Sequence, residues 1–193
     1  MEQTKMDRRI RKTRKLLRDG LASLLEEKNI RDIKVKELVE SIDINRSTFY
    51  LHYTDIYDML EKIEQELMDE IEKAFEKHPL GPKENTPLFI ADIFEILAAN
   101  RPICKALAGP HGDMAFIIKI EKVIGTHAID GIAPRLKDTS ETELRYIYAY
   151  CLNGCVGIVK DWLLSDAKES PEEMSEIMFQ MVKNSLSYLY DCR

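Results

Sequence analysis

Apolar residues recur every three to four positions along most of this chain, the spacing of a helix with one buried stripe. Ile10, Leu17, Leu21, Leu24 and Leu25 mark such a stripe on a first helix, expected from about Thr4 or Asp7 to Glu27, with Lys and Arg opposite. Val35, Leu38, Val39 and Ile42 mark a short second helix. A short third follows Asn45 and ends in the aromatics Phe49 and Tyr50. Ile56, Leu60, Ile63, Leu67, Ile71 and Phe75 predict a long helix from about Thr54 or Asp55 to Lys77. Pro79, Gly81 and Pro82 then break the pattern, and residues 78–87 read as a linker. Beyond it the spacing predicts helices opening at Thr86-Pro87, at Arg101-Pro102 and at Asp113. Two capping boxes start the last two helices: Ser140 with Glu143, and Ser170 with Glu173, the second with Pro171 at the first helical position. Gly and Pro are few, at eight and seven, and mark no sheet-like alternation, so the expectation is an all-α fold of about nine helices.

Residues 35–53 stand out within that pattern. Asp43 sits where the chain must turn, and Asp tolerates left-handed backbone better than most residues. Ile44 packs back on the preceding helix. Asn45 can cap the next one, whose first residues Arg46, Ser47 and Thr48 are polar or basic. A polar helix start propped from behind by apolar side chains is how a helix-turn-helix offers side chains to a DNA major groove. Charge supports this. The net charge is −6, but residues 1–58 carry thirteen Lys or Arg against eleven acids, and the remainder fifteen against twenty-three. Eight of the basic residues lie in the first eighteen positions, where phosphate contacts are wanted.

The wording of the stretch, Asn45-Arg46-Ser47-Thr48-Phe49-Tyr50, then His52 and Tyr53, resembles the TetR/AcrR family of bacterial transcription regulators. The motif covers about the first sixty residues. The resemblance implies a DNA-binding domain over 1–54, a connecting helix over 55–77, and a helical regulatory and dimerisation domain over 87–193. It also implies a homodimer through the last two helices. Arg46, Ser47 and Thr48 would then touch base edges or nearby phosphates, with Asn45 at the helix start. Tyr50, His52 and Tyr53 would contact phosphate or anchor the helix, and Lys34 with the basic N-terminal arm would grip the backbone. Three positions depart from the family pattern. Lys34 stands where a capping Thr is common, Asp43 where Gly is usual, and Ile56 where a Lys often grips phosphate.

In the second domain, Gly154 and Gly157 lie inside a predicted helix, at roughly 1 kcal/mol each against Ala, so close helix approach should compensate. That approach can be within the core or across a dimer interface. Ile177, Met181, Leu186 and Leu189 supply a stripe on the final helix. The spacing Gly154, Gly157, Trp162 before a Pro-Glu-Glu helix start resembles the branch that contains dihydroxyacetone kinase regulators, some of which work with a partner protein and activate. An effector pocket could be lined by Phe94, His111, Met114, Phe116, Tyr146, Tyr150 and Trp162, with Phe89 and His127 as further candidates. For each, plain core packing is the commoner role.

Other chemistry finds no support. The four histidines lack metal-ligand spacing, and Cys104, Cys151, Cys155 and Cys192 form no CxxC pair. No hydrolase elbow or phosphate loop appears, so neither catalysis nor a cofactor is expected. No apolar run is long enough to span a membrane, and the start of the chain lacks a signal-peptide core, which points to the cytoplasm. The expected function is a DNA-binding regulator, most readily a repressor, reading a palindromic operator as a homodimer under an unidentified effector. Two other readings stand beside it: a regulator controlled by a partner protein, and a helical interaction protein with no DNA role.

Overall fold

The computed structural model describes residues 2–80, 85–132, 140–165 and 169–191. They form nine α-helices and no strand: α1 (Glu2–Glu27), α2 (Val35–Ser41), α3 (Arg46–Tyr50), α4 (Ile56–Lys77), α5 (Asn85–Ala99), α6 (Arg101–Ala108), α7 (Met114–Ile132), α8 (Glu141–Leu164) and α9 (Pro171–Asp191). A 3-10 turn, Ile30–Asp32, fills the break between α1 and α2. The side chains of Lys5, Leu186 and Leu189, residue Cys192, and positions 81–84 of the expected linker lie outside the described residues. None of the helices is long and apolar enough to cross a membrane.

Both capping boxes form. Ser140 N donates to Glu143 Oε2 at 2.9 Å, and Glu143 N donates to Ser140 Oγ at 3.3 Å. The same pair of bonds joins Ser170 and Glu173, at 2.7 and 3.2 Å. A third reciprocal cap opens α4: Asp58 N donates to Asp55 Oδ1 and Thr54 N donates to Asp58 Oδ2. Each cap satisfies backbone donors that a helix start leaves without partners.

The chain divides into two compact units. The first joins residues Met1–Glu66 to Arg101–Met114, so α6 belongs with the N-terminal helices. There α1 packs on α2 and on α6, and Lys105 reaches Glu26 at 3.3 Å. Leu17, Leu21, Leu38, Phe49, Met59 and Ile103 form its solvent-free centre. Gly20 lets α2 approach closely; a Cβ there would meet Ile42 Cγ2 at 2.6 Å. Ile10 departs from the expected stripe, at 39% exposed. It lies about three turns before the Gly20 crossing, too far along α1 to share that core.

The second unit joins Leu67–Asn100 to Ala115–Arg193. In it α9 packs mainly on α5 and more lightly on α8. Phe75 stacks on Phe89 at 4.2 Å, and Phe94 meets Trp162 edge-on at 5.2 Å. The buried Asn100 amide donates to Glu70 Oε2 and to the Ile96 carbonyl. Where α7 meets α8, Tyr148 Oη donates to the Glu121 carbonyl at 3.2 Å and lies directly over Gly125.

Candidate nucleic-acid interface

Residues 35–53 fold as α2, a tight turn and α3. The turn closes with Ile44 N donating to the Val39 carbonyl at 3.0 Å, and Asp43 takes the left-handed conformation, φ 51°. Asn45 Oδ1 accepts from Ser47 N at 2.9 Å and also from Ser47 Oγ. This cap fixes where α3 begins, and so which side chains lead it. Lys34 precedes α2 without any side-chain capping bond, which leaves its ammonium exposed to solvent.

The two sides of α3 differ sharply. Phe49 is fully buried, meets Tyr50 edge-on at 5.4 Å and leans on Tyr53 at 5.7 Å. On the other side Asn45, Arg46, Ser47 and Tyr50 are exposed, and Thr48 is half-buried. The Arg46 guanidinium lies over the Tyr50 ring and donates to its hydroxyl from Nη2 at 3.1 Å and from Nε at 3.3 Å. Seven of the eight residues picked from the sequence thus reach the surface at least in part. Tyr53 is the exception, only 4% exposed, and its setting suits an anchor.

The electrostatics behind α3 come from α1 and α4. The Arg14 guanidinium lies beside the Tyr53 hydroxyl, and both Arg14 and Arg18 pair with the Glu66 carboxylate. His52 is half-buried, and burial, then the nearby Arg14 charge, hold its imidazole below the usual histidine range. At neutral pH it is therefore a neutral hydrogen-bonding group. Ile56 is 3% exposed and points into the core, so that position offers phosphate nothing. Lys62, two turns on, instead extends back along α4: its Nζ lies over the Tyr53 ring, 3.0 Å from Asp58 Oδ2 and 3.4 Å from the His52 carbonyl. Sequence reasoning missed Lys62 and Glu66. Asp58 apart, one helical turn from Lys62, their partners lie nine to fifty-two residues away, beyond what helical periodicity can relate.

Of the residues expected to line an effector pocket, Phe94 and Trp162 meet, and the seven do not gather around one cavity. Phe94, Phe116 and Trp162 are buried. Met114, Tyr146 and Tyr150 are exposed, and His111 follows α6 in the first unit. His127 stacks on Phe75 at 3.9 Å and lies 3.3 Å from Glu72 Oε2, a satisfied histidine at the edge of the core. A groove of about 630 Å³ does open in the second unit, lined by Gly154, Gly157, Asp161, Trp162, Met174 and Met181 among others. Of the expected residues it includes only Trp162. Burial pushes the Cys151 thiol up, and pushes Cys155 to about 11 with help from Cys151, so both stay protonated and unreactive at neutral pH. Among the described residues no three His, Cys, Asp or Glu side chains gather as metal ligands would.

The described residues are helical and carry a capped, outward-facing helix-turn-helix, the arrangement that helical DNA-binding regulators use. The model of the TetR family described as "Transcriptional regulator C-terminal region" matches residues 84–184, more than half of the chain. The chain is a member of the TetR family of transcriptional regulators. Among solved structures it is similar to a TetR transcriptional regulator from Streptococcus agalactiae 2603V, with 21% identity, TM-score 0.53, and 93% of this chain and 98% of that one covered. It is also similar to the fatty acid degradation regulator FadR from Bacillus halodurans, with 14% identity, TM-score 0.62, and 88% and 93% covered. The dihydroxyacetone kinase operon activator DhaS matches at 13% identity and TM-score 0.52, with 92% and 96% covered. At these identities the likenesses concern the fold. No curated protein matches the chain.

Proposed function

We propose that this chain is a homodimeric repressor that reads a palindromic operator and is released from it by an effector acting on the C-terminal domain, residues 87–193. The observation that carries this reading is the two-sided α3. Its capped start exposes Arg46 and Ser47, while Phe49 behind them is fully buried. Arg46, Ser47 and Thr48 read base edges; Asn45, Tyr50, His52 and Lys34 contact phosphate or the groove wall; Tyr53 anchors. One helix of five residues makes few base contacts, so two heads related by a twofold axis are needed for specificity. The exposed apolar residues of α8 and α9 support those helices as the dimer face.

A second reading, control by a partner protein, draws support from the open groove and from the scatter of the expected pocket residues. Both readings share the DNA step, which is tested first. Selection of bound sequences from random duplex DNA should recover a palindrome, with affinity falling steeply as salt rises. Thr48→Ala with Tyr50→Ala should abolish specific binding and leave the dimer intact. Failure of a folded dimer to enrich any duplex would overturn the reading.

A further inference from the structure

One turn of α4 holds the recognition segment from two sides. Lys62 Nζ lies 5.6 Å from the centre of the Tyr53 ring and 3.4 Å from the His52 carbonyl, at the exit of α3. Glu66, four residues on and on the same helix face, receives Arg14 on Oε1 and Arg18 on Oε2. Arg14 in turn lies beside the Tyr53 hydroxyl. One carboxylate and one ammonium on α4 thus join the basic helix α1, the last residues of the helix-turn-helix, and α4 itself.

We infer that Glu66 and Lys62 are positioning residues for DNA recognition, fixing the pose of α3 and of the basic face of α1 without touching DNA. The inference rests on the proposed DNA-binding function. Each contact alone is partly exposed and weak, as surface ion pairs are. The arrangement is a network, however, with two guanidinium groups on one carboxylate and a buried tyrosine set between Arg14 and Lys62. Tyr53 is 4% exposed and packs on Phe49, so a shift of its ring moves the back of α3 directly. Lys62 is tied to Asp58 and to the recognition segment, so its role here is mechanical; this differs from a lysine that reaches for phosphate.

The chemistry separates positioning from charge. Glu66→Gln keeps the shape but replaces one acceptor oxygen with an amide donor, which opposes the second guanidinium. It also makes the head one unit more positive. Positioning predicts that affinity for the selected operator falls at least tenfold, while affinity for a scrambled duplex of equal length stays the same or rises. Glu66→Asp, which keeps the carboxylate, should recover part of the loss. Lys62→Met, which makes the head one unit less positive, should lower affinity for the operator more than affinity for the scrambled duplex. Tyr53→Phe removes only the hydroxyl beside Arg14, and should show the split even if Glu66→Gln fails to fold.

The full-length chain is titrated with both duplexes, and helicity is followed by circular dichroism. The inference is overturned if Glu66→Gln and Tyr53→Phe retain the wild-type preference for the operator. A parallel loss on both duplexes also overturns it, because that marks a structural role alone. A wild type that binds neither duplex overturns the proposed function itself, and this inference with it; a wild type that binds, matched by its variants, overturns the inference alone.

Discussion

The helix-turn-helix and the last two helices carry apolar stripes of the same spacing and treat them in opposite ways. In the head, Leu38 and Phe49 are solvent-free and Val39 is 4% exposed. Along α8 and α9, Tyr150 is 71% exposed and Met181 53%. Periodicity identifies a face that coheres with something; it does not say whether the partner lies in the same chain. Helical glycines draw the same line. A Cβ at Gly20 or Gly125 would strike a neighbour, whereas one at Gly154 or Gly157 meets nothing within 4 Å. Each costs roughly 1 kcal/mol of helix propensity against Ala. Close packing inside the chain offsets that cost for the first pair and does not for the second.

The harshest test of a self-sufficient head is Phe49→Ala. Removing a solvent-free aromatic leaves a cavity between α3 and its support, and should destabilise the head by about 3–5 kcal/mol. Denaturant titration would measure it, and operator binding should vanish with it. A loss below about 1 kcal/mol would mean that α3 is held chiefly by something other than its buried face.

Alanines at the glycines probe the other half of the contrast. In Gly125→Ala the new methyl would sit 2.2 Å from Tyr148 Oη and 2.9 Å from Cζ, so the ring must swing and release the Glu121 carbonyl. A destabilisation of about 1–3 kcal/mol should follow. Gly154→Ala and Gly157→Ala should instead stabilise the dilute monomer by up to about 1 kcal/mol each. If they line a close dimer contact, they should weaken self-association about tenfold or more, near 1.4 kcal/mol. Sedimentation across concentration reads that second effect. Unchanged self-association would remove the argument that these glycines serve a partner subunit.

How much was legible beforehand follows from the range of each interaction. The reciprocal caps at Ser140 and Ser170, the left-handed Asp43 and the Asn45 cap are local, so residue type and spacing suffice to place them. The exposed start of α3 was legible for the same reason. The Glu66 carboxylate could not be related to Arg14 from sequence, because the pair spans fifty-two positions and ion pairs leave no periodic signature. The grouping of α6 with α1 depends on tertiary packing alone. The effector-pocket candidates failed to gather because aromatic residues at helical spacing signal only burial or association. Tyr146 and Tyr150, four apart, turned out to share an open face of α8.

Titration should also distinguish the two regions. His52 holds its proton less well folded than unfolded, since burial and Arg14 both oppose the charge. The stability this contributes is complete above the unfolded value near about 6.5, and is lost as pH falls through the lower folded value. Acidification from neutral pH should therefore loosen the head, while Cys155, pushed to about 11, remains protonated throughout. The test compares denaturation midpoints above and below that window in the wild type and in His52→Gln. If the variant keeps the full acid sensitivity, His52 is not its source.

The smallest expected change sharpens the claim that the head's local structure is set by its own residues. Asp43 is exposed and, among the described residues, is the only non-glycine with positive φ. Left-handed backbone is costly for any residue with a Cβ, though less so for Asp, and glycine adopts it freely. Asp43→Gly removes that strain and adds unfolded-state entropy, so the two effects partly cancel. A net gain of less than about 1 kcal/mol should result, with operator affinity unchanged because the turn itself is retained. A loss of stability would instead show that the Asp43 carboxylate contributes something to the turn. In that case the turn would depend on side-chain chemistry as well as on backbone shape.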